Sequence, residues 1–253
     1  MRTTQQIKLY PNGSSASYPG MRFLQAVEQL ASTSEPLWGE IKLDHCQLCP
    51  QNFGVLTDEV IDQLRTTFPN TRFRLHANVR IPGHKRSGRT LGDIEGDALL
   101  YYQALSRINH SLCGQPYTLH PGRKDSLLQL LENSNRLTDL FGVPVGIEGM
   151  YPGYAIGAWA DYLWLLNSGA YYALDLSHLN IVVHREKKQE LSLLSELIHS
   201  DKCLEIHVSG NNGLKDHHAL LEETPWWYET LCSAYPDSNA ILFTEGNQIH
   251  KKY

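Results

Sequence analysis

Along the chain, short runs rich in β-branched, aromatic and aliphatic residues alternate with longer stretches whose apolar positions recur every three or four residues. The runs are IKLY (7–10), WGEIKL (38–43), RFRLHANV (72–79), PYTLH (116–120), PVGIE (144–148), YYALDLSH (171–178), KCLEIHVS (202–209) and AILFTE (240–245). The stretches are MRFLQAVEQLA, TDEVIDQLRTTF, DALLYYQALSRINHSL, SLLQLLENSNRLTDLF, IGAWADYLWLLNSG and ELSLLSELIHS. The first set predicts strands and the second amphipathic helices. Eight strands with helices between them, in 253 residues, match the size and order of an α/β (β/α)8 TIM barrel. The competing arrangement, a doubly wound open sheet, would call for G-x-G-x-x-G after the first strand, and YPNGSSASYPG contains none. With no internal repeat, low-complexity tract or linker, residues 1–253 read as a single domain.

Composition narrows the function classes. At 42% hydrophobic and 19% charged residues the chain can bury a large core. Its net charge of −5 excludes a bulk basic field of the kind that drives non-specific nucleic-acid binding. The opening MRTTQQIKLYPNG lacks the apolar run of a signal peptide, and no segment is apolar enough for a membrane span, so a cytoplasmic location is expected. The five cysteines, at 46, 49, 113, 203 and 232, form no even framework and read as reduced thiols.

In such a barrel the chemistry sits at the C-terminal ends of the strands. Those ends carry His76, His120, Glu148, Asp175 with His178, His207 and Glu245, and the loop after the seventh strand adds Asp216 and His218. Nine imidazoles and carboxylates crowded into one barrel mouth would repel and resist desolvation unless cations neutralise them. Nitrogen and oxygen donors without thiolate suit Zn2+, Mn2+ or Fe, and nine donors exceed the needs of one ion. Two or three divalent metal ions are therefore expected. The strand-end carboxylates Glu148, Asp175 and Glu245 are the catalytic candidates. Arg123 and Lys124, directly after the His120 loop, and Arg86 in HKRSGR (84–89) are the candidates for holding a substrate anion.

These motifs resemble the xylose isomerase-like TIM barrels. The order His76 (RLHAN), His120 (TLHPG), Glu148 (GIEG), Asp175 and His178 (DLSH), His207 (EIHVSG), Asp216 and His218 (DHH) and Glu245 (FTEG) is similar to the endonuclease IV branch, AP endonuclease family 2. That resemblance implies a trinuclear zinc-type site and a hydrolase in which a metal-bound hydroxide attacks a phosphodiester. The chain departs from that branch in its acidic balance and in ANVRIPGHKRSGR, which does not match the side chains that invade a DNA stack. A second resemblance, in HVSG, DHH and WWYETL, is to multinuclear non-haem iron-dependent oxidative enzymes acting on peptides. Those enzymes place Asn where this chain has Gly149 and His178. A third is to sugar isomerases and epimerases, whose single ion would match Glu148, Asp175, His207 and Glu245. The implied substrate is accordingly a small molecule, a nucleic acid or a peptide.

Overall fold

The computed structural model describes residues 8–84 and 89–249. Eight parallel strands form one sheet: β1 (Asn12–Ser14), β2 (Lys42–Leu48), β3 (Arg72–Leu75), β4 (Tyr117–Leu119), β5 (Val145–Glu148), β6 (Tyr172–Asp175), β7 (Cys203–Val208) and β8 (Ile241–Thr244). In space they run β3-β2-β1-β8-β7-β6-β5-β4. The two ends of that sheet meet where His76 bridges Thr118 in parallel and the Ala77 amide donates to the Thr118 carbonyl at 2.9 Å. The sheet thus curls into a nearly closed TIM barrel.

Helices α1 (Phe23–Leu30), α2 (Asp58–Thr67), α3 (Asp97–Ser111), α4 (Leu127–Phe141), α5 (Trp159–Ser168), α6 (Leu176–Glu186), α7 (Leu191–His199) and α8 (Tyr228–Ala234) surround it. Their starts follow local chemistry: the Thr57 and Ser126 hydroxyls accept from the Val60 and Gln129 amides, at 3.4 and 3.2 Å, capping α2 and α4. Gly142, at φ 66°, ends α4 in the left-handed conformation that glycine adopts without strain. Leu30, Leu64, Leu105, Leu130, Leu137, Phe141, Tyr162, Leu165, Leu194 and Leu231 are the buried faces of these helices. No helix among the described residues is long and apolar enough to cross a membrane.

Three elements differ from the sequence reading. The first strand is the polar Asn12–Ser14 rather than 7–10, of which residue 7 lies outside the described residues. Its side chains are buried because they bond inside the fold: Asn12 Oδ1 accepts from the His45 amide at 2.8 Å. The second barrel strand begins at Lys42, while Ser34–Glu35 and Gly39–Glu40 form a small antiparallel hairpin ahead of it. The sixth run ends as a strand at Asp175 and continues as α6, because the Asp175 Oδ1 accepts from the His178 amide at 2.9 Å and caps the helix.

Candidate metal centre

Strand geometry decides which side chains reach the mouth. Alternate residues of a strand face the same side, so the inward positions two apart give Arg74 and His76 at the end of β3, Thr118 and His120 at the end of β4, and Glu205 and His207 on β7. The upper member of each pair is a candidate ligand, and the lower one lies a layer deeper in the barrel.

Glu148, at the end of β5, is the hub. Its Oε2 is 3.4 Å from His76 Nε2 and 2.8 Å from His120 Nε2, and its Oε1 is 3.6 Å from His207 Nδ1 and 3.7 Å from His178 Nδ1. Asp175 spends one oxygen on the helix cap and turns Oδ2 to His178, 3.5 Å away. Because the cap bonds the third residue of α6, its geometry also sets His178 beside Asp175, which is the physical content of the D-x-x-H spacing. Asp216 Oδ2 stands 3.3 Å from His178 Nε2 and 3.0 Å from His218 Nε2, and His218 Nδ1 is 3.5 Å from Glu245 Oε2. All nine side chains named from the sequence therefore meet in one cluster. Within it, ligand atoms of His76, His120 and Glu148, of Glu148, Asp175 and His207, and of His76, His207 and Glu245 each lie within 4.8 Å of one another. The opening is small: His120, His218 and Asp216 are 35, 27 and 15% exposed as side chains, and the rest at most 4%.

Several donors in this cluster have no partner. Glu148 Oε2, His207 Nδ1 and His218 Nδ1 are buried without an aligned hydrogen bond, although other polar atoms crowd them. Unaligned close contacts among imidazole nitrogens and carboxylate oxygens, all aimed at a common space, are what a divalent cation would satisfy. The residues fit a metal: Glu148, Asp175 and His207 form one group of ligand atoms, and His207 is shared with a second group that includes Glu245 and His76.

The deeper layer fixes the ring orientations, and no sequence motif singled it out. His207 Nε2 lies 3.2 Å from Glu205 Oε2 and 2.8 Å from Gln47 Nε2, and these contacts below the ring leave Nδ1 on the side of the mouth. Glu205 is fully buried and also accepts from Gln47 Nε2 at 2.8 Å, Thr118 Oγ1 at 3.0 Å and Arg74 Nη1 at 3.1 Å. His76 Nδ1 is held by Thr118 Oγ1 at 2.9 Å, and Ser14 Oγ donates to Glu245 Oε1 at 3.5 Å. The signal that could have found this layer is the i, i+2 spacing of Glu205 before His207 and Arg74 before His76.

Electrostatics follow the same arrangement. Burial pushes His76 down to about 3. Burial also opposes charge on His178 and His218, yet Asp175 and Asp216 outweigh it and lift them to about 10 and about 9. Burial and repulsion by other carboxylates raise Asp175 and Glu245. Against burial, the bonds from His178 and His218 hold Asp216 far below the usual carboxylate range. The sign for stability is then set. Imidazoles raised on folding stabilise the metal-free protein fully below about pH 6.5, and that contribution is lost as pH rises through 9 to 10. Melting temperature in excess chelator should therefore fall between pH 6.5 and 10, and Asp216→Asn should flatten the slope. An equally steep fall in that variant would refute the assignment.

The substrate-anion candidates are less gathered. Arg123 is exposed and lies over the Tyr154 ring at 4.9 Å. Tyr154 meets Tyr151 edge-on at 5.1 Å, and Tyr151 meets His178 at 5.0 Å. Arg123 thus borders the mouth at two rings' remove from a ligand. Lys124 is exposed, and Arg86 lies outside the described residues. Trp227 is buried against Trp38, with ring centroids 6.4 Å apart, and serves the core. Cys46 and Cys49 are buried free thiols.

No family model matches the sequence, and no curated protein matches it either. In fold it is similar to the crystal structure of a D-tagatose 3-epimerase-like protein, at 15% identity, with 95% of this chain and 91% of that one covered and a TM-score of 0.66. It is similar to D-allulose 3-epimerase from Methylomonas sp. in complex with D-allulose, at 12% identity, 93 and 83% coverage and a TM-score of 0.59. The TTHB071 protein from Thermus thermophilus, soaked with ZnCl2, aligns at 14% identity, 95 and 92% coverage and a TM-score of 0.58. These likenesses establish the (β/α)8 barrel as the fold.

Proposed function

We propose that this chain is a divalent-metal-dependent isomerase or epimerase of a small polyhydroxylated carbonyl compound. The observation that carries the reading is that His207, whose Nδ1 is buried and without a partner, lies in one group of ligand atoms with Glu148 and Asp175 and in another with His76 and Glu245, the ends of four successive strands supplying Glu148, Asp175, His207 and Glu245. The narrow opening suits a small polar molecule, and fold neighbours at TM-scores of 0.66 and 0.59 carry epimerase names. A divalent ion held there supplies Lewis acidity to a carbonyl and an adjacent hydroxyl of the substrate.

The chain's own residues supply the proton chemistry. Glu148 and Glu245, from different strands, are the carboxylates placed to take the proton from the carbon beside the carbonyl and to return it to the other face or to the neighbouring carbon. Asp175, with one oxygen committed to the cap of α6, serves as a positioning ligand. From Glu245 a file of groups leads outward: His218 at 3.5 Å, then Asp216 at 3.0 Å from His218. His218 and Asp216 are partly exposed, so this file can exchange protons between the buried carboxylate and solvent.

Metal-loaded protein, kept anaerobic in D2O with a panel of ketoses, should place deuterium beside the carbonyl. Glu245→Gln should slow that exchange by roughly 10^2 to 10^4. Cleavage of a phosphodiester without any exchange would overturn the proposal in favour of hydrolysis, the second reading. That reading draws support from the triad of His76, His120 and Glu148, which offers a further ion a place of its own. The oxidative alternative is less well served: a side chain at Gly149 would meet the Tyr162 ring at 2.4 Å, so the Asn of those enzymes has no room here.

A further inference from the structure

A second cavity opens beside the metal ligands. It has a volume of about 650 Å3 and is lined by Tyr151, Pro152 and Gly153 of the loop after β5, by Ile181, His184, Arg185 and Lys187 of α6 and its end, and by Gly213 and Leu214 of the loop after β7. Tyr151 is shared with the mouth, since its ring meets that of the candidate ligand His178 at 5.0 Å.

The charge of the lining contrasts with the mouth. The metal-ligand cluster holds the four carboxylates Glu148, Asp175, Asp216 and Glu245 among its imidazoles, whereas the ionisable lining of this cavity is His184, Arg185, Lys187 and the Tyr151 phenol, with no carboxylate among the described residues. In a chain of net charge −5 this is a local reversal of sign. His184, Arg185 and Lys187 are exposed, and the end of α6 that carries them is tied to α5. Glu186 Oε1 accepts from the Trp159 amide at 3.1 Å, and Trp159 Nε1 donates to the Lys188 carbonyl at 3.0 Å. Gly213, at φ 75°, lets the β7 loop close against His184, where a Cβ would lie 2.9 Å from the imidazole. Along α6, Arg185 lies seven residues beyond His178, a rise of about 10 Å, within the reach of a sugar-sized molecule whose carbonyl end is at the metal position.

We infer that this cavity takes the anionic end of the substrate, a phosphate or carboxylate group carried at the far end from the reacting carbonyl. The inference rests on the isomerase reading for the word substrate, but the site itself does not. Arg185 provides a planar fork for a phosphate or carboxylate, and Lys187 and His184 add point charge. Arg123, on the far side of the Tyr151 and Tyr154 rings, brings a further cation to the same loop, its Nη1 being 3.5 Å from the place a Cβ of Gly153 would occupy.

The test uses chelator-treated protein, so that no metal can capture the probe. Inorganic phosphate and acetate are titrated separately by calorimetry into the wild type, His120→Ala and the pair Arg185→Gln with Lys187→Asn. Asn is chosen because Lys187 has φ 58°, which Asn tolerates. The expected result is saturable phosphate or acetate binding that the double variant weakens at least tenfold and His120→Ala leaves unchanged. The tighter of the two probes names the group. Absence of binding in the wild type, or equal binding in the double variant, overturns the inference. Should the probe bind while no ketose or ketose phosphate exchanges deuterium, the anion site stands and the isomerase reading falls.

Discussion

Glu148→Gln should strip the protein of its central ion, and of any further ion held with His76 and His120, while His120→Ala should leave the central ion in place. Among the described residues, Glu148 alone presents one oxygen to His76 and His120 and the other to His207 and His178. A carboxylate can serve two ions through its two oxygens, whereas an amide replaces one of them with an N–H donor that repels a cation. If binding of a structural-type ion releases about 10 to 16 kcal/mol over some four ligands, loss of one weakens affinity by roughly 10^2 to 10^3. Ions that bind only the folded state stabilise it by about 4 kcal/mol at a thousandfold excess over Kd. For a chain of this size the variant should thus forfeit a metal-induced rise in melting temperature on the order of 10 °C. Metal analysis and melting curves with and without added zinc or manganese read both effects. A Glu148→Gln protein retaining the wild-type metal content would refute the hub assignment, and His120→Ala emptying the site as thoroughly would do the same.

The second large effect is expected deep in the barrel, at a residue that touches no metal position. Glu205→Ala leaves the Arg74 guanidinium buried without its partner and removes the acceptor of Gln47, Thr118 and His207 together. Breaking a buried pair from one side costs about 3 to 5 kcal/mol, a fall of roughly 10 °C in melting temperature for this chain length. The variant also frees the His207 ring to turn, and loss of such an orienting partner typically weakens metal binding by about 10 to 100-fold. Structural and positioning roles separate in the double variant Arg74→Met with Glu205→Gln. Removing both charges should recover much of the stability, while metal affinity stays low because the amide orients the imidazole less firmly than the carboxylate. Full recovery of affinity in that double variant would reduce Glu205 to a structural role.

The alternation of strand-like and helix-like runs carried the barrel, because strand and helix periodicities are local properties that each segment displays alone. The same holds for the nine mouth residues. They stand at strand ends, and eight strands feeding one rim leave their side chains nowhere else to converge. Where the sequence reading drifted, burial was polar. NGS in β1 and Gln47 in β2 are buried through hydrogen bonds rather than through apolarity, so hydrophobic pattern placed these strands several residues early. DLSH read as the end of a strand because its cap bond, Asp175 to the His178 amide, forms only when the chain turns into α6.

The sequence by itself thus determined the fold, the rim on which chemistry could occur and the residue types gathered there. Only the tertiary structure decided that Glu148 is the hub, that Glu205 with Arg74, Gln47 and Thr118 turns His207 toward the mouth, and that a cation-lined cavity adjoins the metal-ligand cluster. Periodicity reports which side of its own element a residue occupies. Contacts between residues 74 and 205, or 148 and 207, exist only once the curled sheet has brought distant strands across the barrel from one another.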